Sequence, residues 1–535
     1  MTSQSQPPDA AQDSREEYRF PLSCQQARLW FLEQLAPGDP AYHMPIALRL
    51  RGRLDISALD RAFQEIVDRH EILRTGFTLE DGEPAQAVRA RLTLQLTLAD
   101  LSGISSPRQW LEHMAREVIS RPFDLSSAPL LRTLLARIGP QDHVLVVAVH
   151  HIICDGWSIS VLASELSAAY SALRAGAQPS LPELPVQYGD FALWQRDWLS
   201  GESLNAVLEH WQGVLTGAPA ALDLPTDHSR FRITANRSGH VRRAVGGDLA
   251  ARIDRLARER GVSVFMVLLA AYAIVLGQAS GQRDIVIGSP AAGRPRPEVR
   301  PLIGCFIDML ALRVDLCGDP TAAELLGRVR AVCLDAFGHQ EVPFERLVEH
   351  LQPERDMPRS PVFQVMLAQQ DMPDEILDLP GLTAAEVRFG YGAAKYELTL
   401  NAESRDGDLL LDLEYNSDLF EAPTADRLAE RVVAALKWLS SSGGSRLSAA
   451  ELIPSAERAW LCDAAAGSGG VAKVLAPEAA PPWDALSAPT TETGPGTEIW
   501  VLDPMLRMVP AGAVGEVFVG GAGLAHGYLG RPGLT

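Results

Sequence analysis

The segment Val147-Ala148-Val149-His150-His151-Ile152-Ile153-Cys154-Asp155-Gly156-Trp157-Ser158 constrains this chain more than any other. His143 to Val149 is mostly apolar and β-branched, which predicts a buried strand. Beyond the aspartate and glycine, Leu162, Leu166, Ala169 and Leu173 recur at helical spacing. Ser158 can cap that helix and Gly176 can end it. The two histidines therefore stand at a strand-to-helix junction. Neighbouring side chains on a strand point to opposite faces, so the imidazoles should not converge on one ligand and no metal site is expected there. One ring should face a cavity while the other packs inward. His151 is assigned to the cavity, with His150 supporting it.

This arrangement suits acyl transfer. Imidazole, with an ordinary pKa of about 6.5, can take a proton from an attacking ammonium or amine at neutral pH. Such help is worth about 10²- to 10⁴-fold in rate. His151 can equally hydrogen-bond the developing tetrahedral species or position the amine. Asp155 can act as a second acid, but a carboxylate at a loop–helix junction more often pairs with a cation and holds the loop. Gly156 is expected to supply backbone freedom and close approach. A buried, satisfied histidine pair is the structural alternative.

Composition bounds the rest. Of 535 residues, 47% are hydrophobic, enough for more than one core. Length suggests about two to four folding units. A net charge of -19 argues against a nucleic-acid-binding surface. Met1 to Glu17 lacks the apolar core of a signal peptide, and no apolar run approaches the ~20 residues of a membrane helix. The six cysteines are scattered with no C-x-x-C pair, which points to a reduced, cytoplasmic protein without a cysteine metal site. Residues 1–18 read as a disordered tail. Residues 19–455 read as a mixed α/β body. Within it, helices are expected over Ile56 to Arg69, Leu249 to Arg260 and Thr424 to Leu439. Asp284 to Gly288 should be a short strand ended by its glycine, and Leu409 to Tyr415 a partly exposed strand. Residues 456–497 are rich in Ala, Pro, Gly, Ser and Thr and read as a linker. Residues 498–535 return to strand-like patterning.

Several segments, taken in order, resemble the condensation domains of nonribosomal peptide synthetases. The first are Leu22-Ser23-Cys24-Gln25-Gln26-Ala27-Arg28-Leu29-Trp30-Phe31-Leu32 and Arg69-His70-Glu71-Ile72-Leu73-Arg74-Thr75-Gly76-Phe77. The His-His-x-x-x-Asp-Gly-Trp-Ser segment and Tyr188-Gly189-Asp190-Phe191-Ala192-Leu193-Trp194 follow. Ile303-Gly304-Cys305-Phe306-Ile307-Asp308, His339-Gln340-Glu341-Val342-Pro343-Phe344-Glu345 and Arg355-Asp356-Met357-Pro358-Arg359-Ser360-Pro361-Val362-Phe363-Gln364 complete the set. The resemblance implies an α/β fold of two chloramphenicol-acetyltransferase-like lobes, residues 19–180 and 181–455, forming a V with an active-site tunnel at the seam. A donor acyl thioester and an aminoacyl acceptor, each on the phosphopantetheine arm of a peptidyl carrier protein, would meet there and form an amide. The chain itself would bind no cofactor, nucleic acid or membrane. Enclosure would hold both reactants together and limit hydrolysis.

Carried over by motif, His151 is the catalytic or positioning histidine, and Gly156 lies beside the reacting groups. Asp155 would be structural, with Arg294 as candidate salt-bridge partner. Trp157, Ser158 and Asp308 are candidates for the tunnel or acceptor side. Asp308 stands where the family usually has Asn, placing an extra negative charge near the expected tunnel. Arg28 to Leu35 and Asp155-Gly156-Trp157-Ser158 look most like the subtype joining an L-donor to an L-acceptor. Residues 498–535 resemble an incomplete internal piece of an adenylation domain, whose nucleotide-binding segments are not found, so adenylate formation is not expected. Gly443-Gly444-Ser445-Arg446-Leu447 loosely resembles a phosphopantetheine attachment motif but reads as linker. Two other readings compete with amide formation. One is an acyltransferase using a free amine or alcohol. The other is a silent condensation-like domain that recruits a partner, which an intact His151, Asp155 and Gly156 argue against.

Overall fold

The alternation of β-branched runs and helix-period segments resolves, in a computed structural model, into two α/β units. The structure describes residues 17–199, 202–230, 236–294, 296–351, 359–370, 377–387, 389, 394–405, 408–441, 444–455, 457–459, 497–502, 509, 513 and 516–521. In chain order the first elements are β1 (Glu17–Pro21), α1 (Cys24–Leu35), β2 (His43–Gly52), α2 (Ile56–Arg69), β3 (Thr75–Glu80) and β4 (Glu83–Arg89). Then come β5 (Thr97–Asp100), α3 (Pro107–Ser120), β6 (Leu131–Gly139), β7 (Asp142–His150), α4 (Gly156–Arg174) and α5 (Tyr188–Leu199). The next are α6 (Glu202–Leu215), β8 (Ser238–Ala244), α7 (Gly247–Arg260), α8 (Val264–Ser280), β9 (Asp284–Ala291) and β10 (Asp308–Asp315). After these come α9 (Ala322–Gly338), α10 (Phe344–Leu351), β11 (Val365–Gln370), β12 (Leu382–Glu386), β13 (Leu398–Arg405) and β14 (Asp408–Asn416). The last are α11 (Ala422–Ser441), β15 (Thr497–Leu502) and β16 (Glu516–Gly521).

The first unit comprises Met1–Asn205, Ala292–Ile307 and Glu375–Tyr391. Its main sheet has the order β12-β2-β7-β6-β5, and a smaller sheet has the order β1-β4-β3. β7 lies between two antiparallel neighbours, with His150 opposite His43 and Val149 opposite Leu131. All but one of its residues are buried, which is why it reads as a continuous apolar run rather than an alternation. Helices α2 and α4 bury Phe63, Ile66, Leu162, Leu166 and Ala169, the positions that recur at helical spacing. The central strand thus delivers the two histidines from a rigid core.

The second unit comprises Ala206–Ala291, Asp308–Asp374 and Gly392–Thr535. Its sheet has the order β10-β9-β11-β13-β14-β8, with β11 parallel to both β9 and β13. Helix α8 is buried nearly all round, as its apolar sequence requires. Among the described residues no single helix is long and apolar enough to cross a membrane. β15 and β16 form an antiparallel pair of their own.

Several sequence expectations need correction. The break expected at 180/181 is not where the units divide, because residues 181–205 stay with the first unit. Residues 292–307 also belong to it, although the strands flanking them pair in the second unit's sheet with Asp308 opposite Ala291. Backbone groups in that stretch hydrogen-bond to Asp155 and Ser158, which explains the assignment. Strand β1 starts at Glu17, so only residues 1–16 of the expected tail lie outside the described residues. The linker does not begin at 456, since Glu457 is buried and pairs with Arg431 of α11. Most of 456–497 and of the 498–535 fragment lies outside the described residues, as do Gly443 and Arg355 to Pro358.

Gly288 does not end its strand. β9 continues to Ala291, and a Cβ at Gly288 would come 2.2 Å from Cε2 of Phe363. The glycine allows an aromatic ring to lie on the strand. Gly288→Ala should therefore cost about 1–3 kcal/mol by overpacking. Chemical denaturation checks this, and an unchanged midpoint would reject it.

Candidate active site

The site is built outward from one carboxylate. Asp155 has an extended backbone and caps α4 by accepting from Ser158 N at 2.8 Å. It, rather than Ser158, is the N-cap, because its side chain reaches the third residue of the helix. Oδ1 also accepts from Ser158 Oγ (2.7 Å) and Arg294 Nη2 (3.0 Å). Oδ2 accepts from Phe306 N (2.9 Å) and lies 3.3 Å from Arg294 Nη2. The Asp155 and Arg294 side chains are 2% and 1% exposed. A carboxylate so fully engaged has little acceptor capacity left for a substrate.

The same residues grip the segment from Val299 to Phe306. Arg294 Nη1 donates to Val299 O (2.8 Å) and Leu302 O (2.7 Å), and its guanidinium lies 3.9 Å from the Phe306 ring centroid. Ser158 Oγ accepts from Gly304 N (3.0 Å) and Arg294 Nη2 (2.8 Å). Its one proton is shared between Asp155 Oδ1 and Gly304 O at 2.8 Å. Tyr188 Oη donates to Cys305 O at 2.6 Å. Since that carbonyl can only accept, the phenol must accept in turn from Ser23 Oγ at 2.8 Å. Burial pushes the Tyr188 phenol well above its usual pKa, which keeps it a donor. Gly304 is required here, because a Cβ would stand 2.1 Å from Tyr188 Cδ2.

A second buried dyad braces this segment. His70 Nδ1 accepts from Ile303 N at 3.4 Å, which puts the ring proton on Nε2, 2.8 Å from Glu165 Oε2. Arg69 Nε donates to Glu165 Oε1 at 3.0 Å. Burial alone would raise the Glu165 carboxyl, but His70 and Arg69 outweigh it and hold it below its usual range.

The strand ends at His150, so His151 lies beyond the reach of strand alternation and the two rings differ in burial instead. His150 is 1% exposed, packs edge-on against His43 and Phe123, and accepts from Ile152 N at 3.1 Å. His151 begins a short 3-10 turn and is half-buried. Its Nδ1 lies 3.9 Å from Cys305 Sγ. Gly156 adopts no left-handed φ, and a Cβ there would meet no atom within 4 Å. Backbone freedom therefore does not explain the glycine, which faces open space.

The remaining candidates separate. Trp157 is half-exposed and donates from Nε1 to Arg300 O at 2.9 Å. Ser158 is fully buried within the hub, so it lines no accessible surface. Asp308 belongs to the second unit, where Oδ1 accepts from Met309 N (2.8 Å) and Phe344 N (2.9 Å). Sequence reasoning missed the placement of Tyr188, Cys305, His70 and Glu165. The first three lie inside quoted motifs, but nothing local says that their partners are so distant in the chain.

A family model, the condensation domain, matches residues 16–462. The chain is 41% identical over 449 residues to one of the linear gramicidin synthase proteins of Brevibacillus parabrevis, covering 83% of this chain and 9% of that protein. It is 39% identical over 453 residues to the isonitrile lipopeptide synthase of Mycobacterium tuberculosis, covering 83% and 18%. The chain thus spans less than a fifth of either relative's length. Among solved structures, the X-domain from teicoplanin biosynthesis in its complex with OxyB gives a TM-score of 0.73 at 30% identity, covering 85% of this chain and 100% of that one.

Two outcomes test the network. Arg294→Ala leaves a buried carboxylate without its cation and should destabilise by about 3–5 kcal/mol in equilibrium unfolding. A loss no greater than at a surface arginine would show that the pair is dispensable. Glu165, being depressed, stabilises fully above the ordinary carboxylate pKa of about 4.3 and loses that contribution as pH falls through its lower folded value. The stability gap between the native chain and Glu165→Gln should therefore narrow on acidification. A constant gap from pH 7 to 3 would contradict this.

Proposed function

Because the chain belongs to the condensation-domain family, we propose that it forms an amide between two carrier-bound substrates. The amine of an aminoacyl group on one carrier attacks the carbonyl of an acyl or peptidyl thioester on another. A C–N bond forms, the C–S bond breaks, and the amine proton is passed on as the phosphopantetheine thiol leaves. One relative is named a lipopeptide synthase, which supports this class of reaction. The peptidyl carriers and their phosphopantetheine arms are partners in this reading. A cytoplasmic location, the L-donor/L-acceptor subtype and an adenylation-type fragment at 498–535 belong to it as well. So does a chloramphenicol-acetyltransferase-like α/β fold.

One observation carries the assignment of roles. His151 is half-buried, directly before a hub in which Asp155 is engaged on both oxygens. That leaves the imidazole to meet the amine and Asp155 to hold the loop. The open space on Gly156 is where a substrate passes, so its missing side chain serves the ligand rather than the fold. His150 supports the turn from the inward side.

Intact-mass measurement of an aminoacyl-loaded acceptor carrier, mixed with an acyl-loaded donor carrier and this chain, tests the proposal. The acceptor should gain the acyl mass. His151→Ala should slow that gain by about 10²- to 10⁴-fold. Gly156→Val should melt close to the native chain yet abolish product. Undiminished product from His151→Ala would move the chemistry to another residue. No product across a broad panel would favour a recruiting role.

A further inference from the structure

Three side chains of the second unit bring metal-binding atoms together: His210 on α6, with Asp335 on α9 and His339 at its C-terminal cap. One ligand atom from each lies within 4.8 Å of the other two. We infer that this cluster binds a borderline divalent cation of the zinc type. Two imidazoles and one carboxylate suit zinc, copper or nickel, whereas magnesium and calcium take oxygen donors.

The surroundings favour an ion. His339 Nδ1 lies 2.8 Å from the carbonyl oxygen of Asp335, which can only accept. The hydrogen is thereby fixed on Nδ1 and the lone pair on Nε2, the arrangement that orients metal-binding histidines. Trp211 Nε1 donates to His339 O at 3.0 Å and steadies the cap. Asp335 stands in the last turn of α9, where unpaired carbonyls concentrate negative charge. Among the described residues no Lys or Arg pairs with its carboxylate. Its partners are His210 Nε2 at 2.9 Å and His339 Nδ1 at 3.6 Å. All three side chains are 29–42% exposed, so a hydrated ion can reach them and keep water in its remaining positions.

The two rings are stacked, 3.7 Å between centroids and 15° from parallel. Parallel rings cannot both aim in-plane lone pairs at one ion, so binding requires His210 to turn away from His339, whose ring is held by the Asp335 carbonyl. The partial exposure of His210 permits that rotation. A bound ion would tie α6 to the turn that leads from His339 into α10. His210 is 125 residues from Asp335, which hides the cluster from any local motif search. The inference does not depend on the chemistry proposed for His151.

Calorimetric titration of the whole chain with zinc chloride, alongside thermal melts, tests it. One saturable site should appear, with a Tm that rises with zinc concentration. His210→Ala, His339→Ala and Asp335→Asn should each weaken binding by at least the ~10- to 100-fold that follows loss of an outer-shell partner. Their zinc-free melts should match the native chain. Cys317→Ser, which removes an exposed thiol, should bind zinc unchanged. No saturable site, undiminished binding in the His210→Ala/His339→Ala double variant, or loss in Cys317→Ser would each overturn the inference.

Discussion

A buried carboxylate in a protein interior is tolerated only when its charge and its lone pairs are all answered. Asp155 meets that condition with the guanidinium of Arg294, the first turn of α4 and the amide of Phe306. Chain segments that lie far apart in sequence thereby become one object. The strand–turn–helix that carries the histidines cannot shift without breaking the hold on residues 299–306. That segment in turn carries Cys305 to within 3.9 Å of His151. A carboxylate just beyond the turn thus sets the surroundings of the imidazole that begins it.

The directions of the hydrogen bonds extend the constraint. The chain of donors runs from Ser23 to Tyr188 to the Cys305 carbonyl, and each step follows from the one acceptor-only group at its end. Ser23 itself accepts from Gln26 N, which ties α1 into the same sequence of contacts. Neutral, buried donors of this kind rigidify a site without adding charge to it. Gly304 completes the fit by letting the Tyr188 ring lie against the backbone.

The local half of this architecture was legible in the sequence. β7 and α4 follow from β-branched runs and helical spacing, whereas the 3-10 turn that takes His151 out of the strand does not. The cap is ambiguous in sequence because Ser158 and Asp155 are both good capping residues, and only the three-residue reach of Asp155 decides between them. The division into units was not legible. Residues 292–307 are assigned by hydrogen bonds to a turn far earlier in the chain, and no periodicity encodes that. Gly156 shows the opposite failure. A glycine in a turn suggests backbone freedom, yet here the backbone is ordinary and the space beside it is empty.

Asp308 shows how a charge read from sequence can carry a local structural role. Where an asparagine is usual, an aspartate suggests a negative group facing a substrate. In the structure it is 7% exposed, and Oδ1 accepts from the backbone of Met309 and of Phe344, the first residue of α10. An asparagine oxygen could accept the same two hydrogen bonds, so the geometry does not require the charge. The charge does strengthen both bonds and suits the positive end of the α10 dipole. The substitution therefore acts first on the seating of a helix. Through Oδ1, the charge read from sequence is tied first to the start of α10.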